Sequence, residues 1–396
     1  MYPKLSDLIN DWFGTNIVLP IQSYGFFLAL AFLFGAYFLY RELQRKEKEG
    51  LIKHQKKRIQ KGKSASISEL VISFIISFLI GYKLIGALLS YNSFATNPQD
   101  YLMSTDGSFT GGIIVAIAST AWYYYRKKKR ELHPPVWEEV TVHAQDNTWP
   151  IVFVAILFGI LGAKVFHWLE NWEEFSRNPI NELLSFSGMS FYGGLLIAAA
   201  AVGFYAYKQG IKWWVLFDSV SPSLILSYGI GRIGCHVAGD GDWGIVNTLE
   251  KPGWISFLPD WLWSYHYPHN ILNEGIPIPG CTGPHCFQLA EGVFPTPVYE
   301  TTMAILIFLL LWKLRKHIQI PGILASIYLI LNGVERFIIE KIRINNVFDL
   351  WGMKVTQAEV VSVILFMTGI FLIIYLTYSY KRNVNHEPGD HLKTGN

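Results

Sequence analysis

The sequence predicts an all-α polytopic integral membrane protein with about nine transmembrane helices, its N-terminus outside and its C-terminus cytoplasmic. Three observations lead there. Of 396 residues, 51% are hydrophobic and only 16% charged, against roughly 25% charged in soluble domains. Apolar stretches of about 17–25 residues, the length that crosses a bilayer, recur along the chain. The basic residues gather in every second connection between those stretches.

The spans, in order, are Ile21–Tyr40, Leu70–Ser90, Phe109–Tyr125, Trp149–Leu169, Phe191–Tyr207, Trp214–Ile230, Tyr299–Leu314, Ile323–Ile339 and Val360–Tyr380. The first ends at a strongly basic segment, Arg41–Lys63, and the third at Arg126–Arg130. Lys208 and Lys212 follow the fifth; Lys313, Arg315 and Lys316 follow the seventh; Lys381 and Arg382 follow the ninth. Lys and Arg stay on the cytoplasmic side, so five loops agree on one orientation. The basic runs report topology, and no nucleic-acid partner is expected. The start, MYPKLSDLINDWFG, has no basic region followed by an apolar core and a small-residue site, so no cleavable signal peptide is expected.

The chain reads as a single membrane domain, 1–396, with a long outer loop at 245–293 and a cytoplasmic tail at 381–396. It also carries an internal repeat. FLIGYKLIG…TNPQDYLMSTDGSFTGG matches FGILGAKVF…RNPINELLSFSGMSFYGG, pairing Lys83 with Lys164, Asn97-Pro98 with Asn178-Pro179 and Gly111-Gly112 with Gly193-Gly194. The unit is two spans and an outer loop, so both copies keep one orientation; residues 65–130 read as an inserted duplication.

Ionisable groups inside a bilayer are costly, which makes each a functional candidate. On this topology they share one level, the outer boundary. Tyr24 opens the first span there, Tyr192 the fifth, and Tyr299 with Glu300 the seventh. Arg232 closes the sixth within a Gly-rich stretch containing Gly229, Gly231 and Gly234; Arg336, Glu340 and Arg343 share a helical face at the end of the eighth. Arginines at helix ends suit an anionic phosphate ester, held by charge-assisted hydrogen bonds, and glycines let lipid approach the backbone. Plainer readings stand beside these. Arg336 and Glu340 also fit an i,i+4 ion pair, and Arg343 a snorkelling side chain. Tyr24 and Tyr299 also fit interfacial anchors. Asp218 reads as structural.

Taken together, these blocks resemble the bacterial phosphatidylglycerol–prolipoprotein diacylglyceryl transferases. The family signature Gly-Arg-x-Gly-Asn-Phe-x-Asn-Gly-Glu, followed by Trp-Gly, is similar to Gly231-Arg232-Ile233-Gly234-Cys235-His236-Val237-Ala238-Gly239-Asp240 with Trp243-Gly244. Gly188-Met189-Ser190-Phe191-Tyr192-Gly193-Gly194 resembles the family's Gly-Met-Ser-Phe-His-Gly-Gly. Phe294 to Glu300 resembles its His-Pro-x-Gln-x-Tyr-Glu, Arg336 to Arg343 its Arg-Phe-x-x-Glu-x-x-Arg, and Tyr24-Gly25 its early Tyr-Gly. Here Tyr192 stands for the family histidine, and Cys235 and Ala238 for two asparagines.

The resemblance implies a multi-pass protein of the bacterial inner membrane, its site toward the outer leaflet. It would transfer diacylglyceryl from phosphatidylglycerol to the lipobox cysteine of a prolipoprotein, without a cofactor. The nucleophile is the substrate thiol, which must lose its proton, and cations must stabilise the departing phosphate. Arg232, Arg336, Tyr192 and Glu340 are then the expected catalytic residues; Tyr24, Gly231, Gly234, Asp240, Gly244, Tyr299, Glu300 and Arg343 the expected substrate contacts. Tyr192, Glu340 and Asp240 remain rival proton acceptors.

Two further clusters carry chemistry. Cys281 and Cys286, near His266, His269 and His285, fit a disulfide or a zinc site. Asp240-Gly241-Asp242-Trp243-Gly244 resembles the start of a calcium loop but lacks its later glutamate, so a Gly-rich turn is the better reading and no metal is expected at the arginines. The rival classes are a transporter, whose polar residues would lie near the midplane, and a catalytically silent lipid- or lipoprotein-binding paralogue.

Overall fold

The computed structural model describes residues 1–96, 98–184, 190–345, 347–350 and 353–386. Asn97, Gly188, Met189 and most of the 381–396 tail, all used in the sequence reading, fall outside them. The chain forms two compact units. One contains Met1, Phe27–His54 and His143–Asn396, the other Tyr2–Phe26 and Gln55–Val142.

The smaller unit holds helix α1 (Leu5–Phe13), the first turn of α2 (Ser23–Lys48), strand β1 (Gln55–Lys61), helices α3 (Ile67–Leu89), α4 (Tyr91–Thr96), α5 (Pro98–Met103) and α6 (Phe109–Lys129), and strand β2 (Val136–Val142). α3 starts with a capping box: Glu69 N donates to Ser66 Oγ at 3.2 Å, and Ser66 N donates to the Glu69 carboxylate at 3.1 Å. α3 and α6 form an apolar hairpin. Their glycines set its spacing, since a Cβ on Gly112 would lie 2.8 Å from the Phe78 ring. The ammonium of Lys83 donates to the carbonyls of Tyr101, Ser104 and Asp106, closing the connection over the end of α3.

β1 and β2 pair antiparallel over seven residues, Gln55 opposite Val142 and Lys61 opposite Val136. Two further ladders appear later in the chain. The fold is mostly helical, as expected, with these short ladders in the connections between helices. QKKRIQK faces WEEVTV, and Arg58 pairs with Glu139 at 3.2 Å from directly opposite. Opposite charges across the ladder, with β-branched residues in β2, favour a strand where the sequence reading saw only topological charge.

The larger unit holds the rest of α2, then α7 (Thr148–Glu170), α8 (Trp172–Arg177), α9 (Pro179–Leu184), α10 (Phe191–Lys208) and α11 (Trp213–Ala238). Strands β3 (Ile276–Pro277) and β4 (Phe287–Gln288) lie in the long loop. Helices α12 (Thr296–Leu314) and α13 (Ile323–Glu340), strands β5 (Val347–Leu350) and β6 (Met353–Thr356), and α14 (Gln357–His386) complete it. α7 and α10 form a hairpin like that of α3 and α6. Ser190 N donates to Ala163 O at 3.0 Å, as Ser108 N does to Tyr82 O at 2.9 Å in the smaller unit.

Two apolar cores hold the larger unit. Leu39, Leu43, Ile151, Ala206, Val215 and Leu216 join α2, α7, α10 and α11; Ile225, Ala304, Phe308, Leu311 and Leu324 join α11, α12 and α13. Asp218 is structural, as expected: its two carboxylate oxygens accept from Gly322 N at 2.8 Å and Ala325 N at 2.9 Å, capping α13 from α11.

All nine predicted spans fall on helices. Five of those helical stretches, Ser23–Lys48, Ile67–Leu89, Ala144–Glu170, Thr296–Leu314 and Gln357–Arg382, are long and apolar enough to cross a membrane among the described residues. Large apolar side chains such as Ile72, Leu84, Phe371 and Ile374 are left exposed on helix surfaces, as in a protein whose solvent is lipid.

Candidate active site

The arginines singled out from the sequence converge on one carboxylate. Glu300, on the second turn of α12, is fully buried at 0% exposure. Three arginines surround it. Arg232, from the last two turns of α11, places Nε 2.9 Å from Oε2, off the line of a hydrogen bond, so that contact is purely electrostatic. Arg336, on α13, reaches Oε1 at 3.4 Å, and Arg343, just beyond α13, reaches the same oxygen at 3.2 Å. Such pairing offsets much of the cost of burying a carboxylate.

Asp242 closes the network. One of its oxygens pairs with Arg232 and the other with Arg343. Arg336 in turn pairs with Glu340 at 3.0 Å, and Asn345 Nδ2 donates to Glu340 Oε1 at 2.6 Å. Three guanidinium groups thus face three carboxylates. Arg232 also lies over the Tyr228 ring, its Cζ 5.2 Å from the centroid. Each guanidinium has five N–H donors, more than these contacts use, so donors remain for an anion.

Backbone geometry sets the cluster. α11 ends at Gly239, whose φ of 63° is the left-handed conformation that glycine adopts without strain. The turn that follows brings Asp242 back over Arg232. Gly244 N then donates to Phe294 O at 2.8 Å, and Ile245 N to Ile342 O at 2.9 Å. A Cβ at Gly244 would overlap the Ile342 carbonyl. This crossing of two backbones sets Arg343 beside Asp242.

The structure sorts the expected site residues. Arg232, Glu300, Arg336, Glu340 and Arg343 come together. The reading of Arg343 as a snorkelling side chain is corrected: its side chain is only 14% exposed and is held by two carboxylates. Gly231 faces open space, whereas the space beside Gly244 is taken by protein. Gly234 is buried within α11. Tyr299 OH donates to Leu262 O at 2.6 Å, tying α12 to the 245–293 loop. Tyr192 stands half-buried on the first turn of α10. Tyr24 belongs to the smaller unit, half-exposed at the start of α2.

Asp240 lies beside Asp242 and Cys235, and burial, then the neighbouring Asp242 charge, pushes its carboxyl above the usual range. Donor atoms of Cys235, Asp240 and Asp242 lie within 4.8 Å of one another. Two arginines already occupy Asp242, and that positive charge opposes a cation there. The zinc reading of the 245–293 loop is overturned, because Cys281 and Cys286 are bonded to each other. His269 and His285 are engaged as well, a ring nitrogen of His269 lying 2.8 Å from His285 O.

Sequence reasoning passed over two residues. Asp242 was weighed only as part of a calcium loop; two arginines predicted at its level were the signal that it would be claimed as a counter-ion. His236 stands in an aromatic enclosure, with ring centroids 5.8 Å from Trp261 and Tyr265 and 5.5 Å from Tyr267.

Comparison with known proteins identifies the family. The family model described as prolipoprotein diacylglyceryl transferase matches in two segments, residues 13–138 and 135–375. The chain is 28% identical over 249 residues to the phosphatidylglycerol–prolipoprotein diacylglyceryl transferase of Staphylococcus haemolyticus, covering 62% of this chain and 78% of that protein. It is 29% identical over 232 residues to the protein of the same name from Shouchella clausii, covering 58% and 75%. It is 27% identical over 245 residues to that of Pediococcus pentosaceus, covering 60% and 78%. On a match running through almost the whole described chain, with the arginine and carboxylate blocks in place, the protein belongs to the prolipoprotein diacylglyceryl transferase family.

Proposed function

We propose that the protein transfers the diacylglyceryl group of phosphatidylglycerol to the lipobox cysteine of prolipoproteins, and that the arginine cluster around Glu300 is where the phosphate is held. The single observation that carries the assignment is the convergence of Arg232, Arg336 and Arg343 on one buried carboxylate. In the reaction the substrate sulfur forms a thioether bond to the glyceryl carbon. The bond from that carbon to the phosphate oxygen breaks, glycerol phosphate leaves, and the thiol proton passes to a base. Charge grows on the departing phosphate, and fixed guanidinium groups stabilise it without reorganising.

The carboxylates position the arginines. Glu300 orients all three, Asp242 two, and Glu340 holds Arg336 from the next turn of the same helix. Glu340, engaged by Arg336 and Asn345, serves as a positioning residue rather than a free base. Tyr192, Tyr24 and Tyr299 stay assigned to the substrates, and Gly231, open on its helix surface, to the lipid.

Nine spans, with the N-terminus outside and the site toward the outer leaflet of the inner membrane, follow from the basic loops. A disulfide in the 245–293 loop supports placing that loop in an oxidising compartment. The first hairpin reads as a duplicate of the second. The matched Ser108–Tyr82 and Ser190–Ala163 hydrogen bonds and the two-segment family match support this.

The test is rescue of a bacterium depleted of its own transferase, read by attachment of radiolabelled diacylglycerol to a lipobox peptide in its membranes. Wild-type chain restores labelling; Arg232→Ala and Arg336→Ala abolish it while the protein still accumulates in the membrane. Normal labelling with both variants would sink the assignment of the arginines. Failure of the wild-type chain itself would favour a silent lipid-binding relative, which the Tyr192, Cys235 and Ala238 replacements make the second reading.

A further inference from the structure

A carboxylate beside the arginine cluster belongs to no pair among the described residues. Glu335 precedes Arg336 on α13 and is 3% exposed. Neither of its carboxylate oxygens has a hydrogen-bond partner among the described residues. Glu300 and Glu340 each have arginine nitrogens within 3.4 Å; Glu335 has no such ion pair among the described residues. Burying an unsatisfied carboxylate is costly, and an apolar side chain of similar size would serve the helix better.

Its surroundings say what would satisfy it. Glu335 interacts electrostatically with Arg336, Arg232, Arg343 and Glu300, and with Tyr228 on α11 and Tyr328 two turns earlier on α13. It therefore borders the place where the phosphate is held. Two orphan acceptor oxygens call for two donors. Neutral hydroxyls on a molecule whose phosphate the arginines hold would supply them. The fitting ligand carries a pair of hydroxyls a few bonds from a phosphate.

We propose that Glu335 accepts hydrogen bonds from the two hydroxyls of the glycerol headgroup while the neighbouring arginines hold its phosphate, and so selects phosphatidylglycerol among anionic lipids. This rests on the function proposed above. Specificity of this kind is strong because the wrong lipid leaves the carboxylate unpaired again. Glu335 contributes binding and selection, not proton transfer.

The experiment uses the full chain, purified and reconstituted in vesicles. Initial rates of transfer to a lipobox peptide are measured from phosphatidylglycerol and from phosphatidylpropanol, which has the same charge and no headgroup hydroxyls. Wild type strongly prefers phosphatidylglycerol. Glu335→Gln and Glu335→Leu each reduce that preference by about tenfold or more, mainly through a raised KM for phosphatidylglycerol, with the pH profile unchanged. Glu335→Leu also unfolds at a higher temperature in detergent, which shows that the loss is not misfolding. An unchanged preference in both variants overturns the proposal, as does a shifted pH profile with preference intact, which would make Glu335 the proton acceptor. If wild type transfers from neither lipid, the transferase reading fails instead.

Discussion

Asp242 and Arg343 pair across 101 residues of chain. The contact joins the turn after α11 to the segment after α13, and the same arginine goes on to Glu300 at 3.2 Å. Two guanidinium nitrogens on one side chain thus bridge two carboxylates on different elements, a geometry that a single ammonium does not reproduce.

Arg343→Lys is therefore expected to cut transfer from phosphatidylglycerol by about tenfold or more, since each tenfold is only about 1.4 kcal/mol of lost transition-state stabilisation. The charge is kept, so a residue that merely snorkelled would show no change. Initial rates in vesicles, normalised to folded protein, decide between them.

Two glycines in one signature should behave oppositely. At Gly244 a Cβ would overlap the Ile342 carbonyl, whereas at Gly231 nothing lies within 4 Å of that position. Gly244→Ala should displace the backbone that carries Arg343, lowering both activity and the unfolding temperature in detergent. Gly231→Ala should leave the unfolding temperature unchanged and slow transfer only by crowding the lipid. Full activity in Gly231→Ala would remove that glycine from the substrate contacts.

Asp240 gives stability a pH dependence with a definite sign. Its carboxyl is raised in the folded protein by burial and by Asp242, so the folded state binds the proton more tightly than the unfolded one. That contribution is fully present below the unfolded value, about 3.9, and is lost as pH rises through the folded one. Asp240→Asn should therefore unfold at a higher temperature than wild type at neutral pH, with the difference shrinking toward pH 4. A difference independent of pH would show that Asp240 is not the titrating group.

The helices and the helix-end positions of the arginines were legible because both rest on strong local signals. Apolar runs of bilayer length mark helices such as α3 and α14, and Arg232, Glu300 and Arg336 each sit where such a run meets a polar segment. Partners were harder to read. Asp242 looked like part of a loop because its significance lies in Arg343, 101 residues away. The β1–β2 ladder was hidden because the charges in Gln55–Lys61 read as orientation signals, and only Glu138 and Glu139 on the opposite strand give them a pairing role. Gly244 looked like room for a ligand, and only the backbone of Ile342 reveals that the room is filled.

Asp218 has a mechanical consequence. It clamps the start of α13 to α11, while Arg336 clamps the far end of α13 to Glu300 of α12, which Arg232 of α11 also holds. A rod fastened at both ends neither slides nor rolls against its neighbours without breaking one of its fastenings. The rigidity that aims the guanidinium groups therefore begins at the opposite end of the helix, and Asp218, remote from any reacting atom, anchors their alignment.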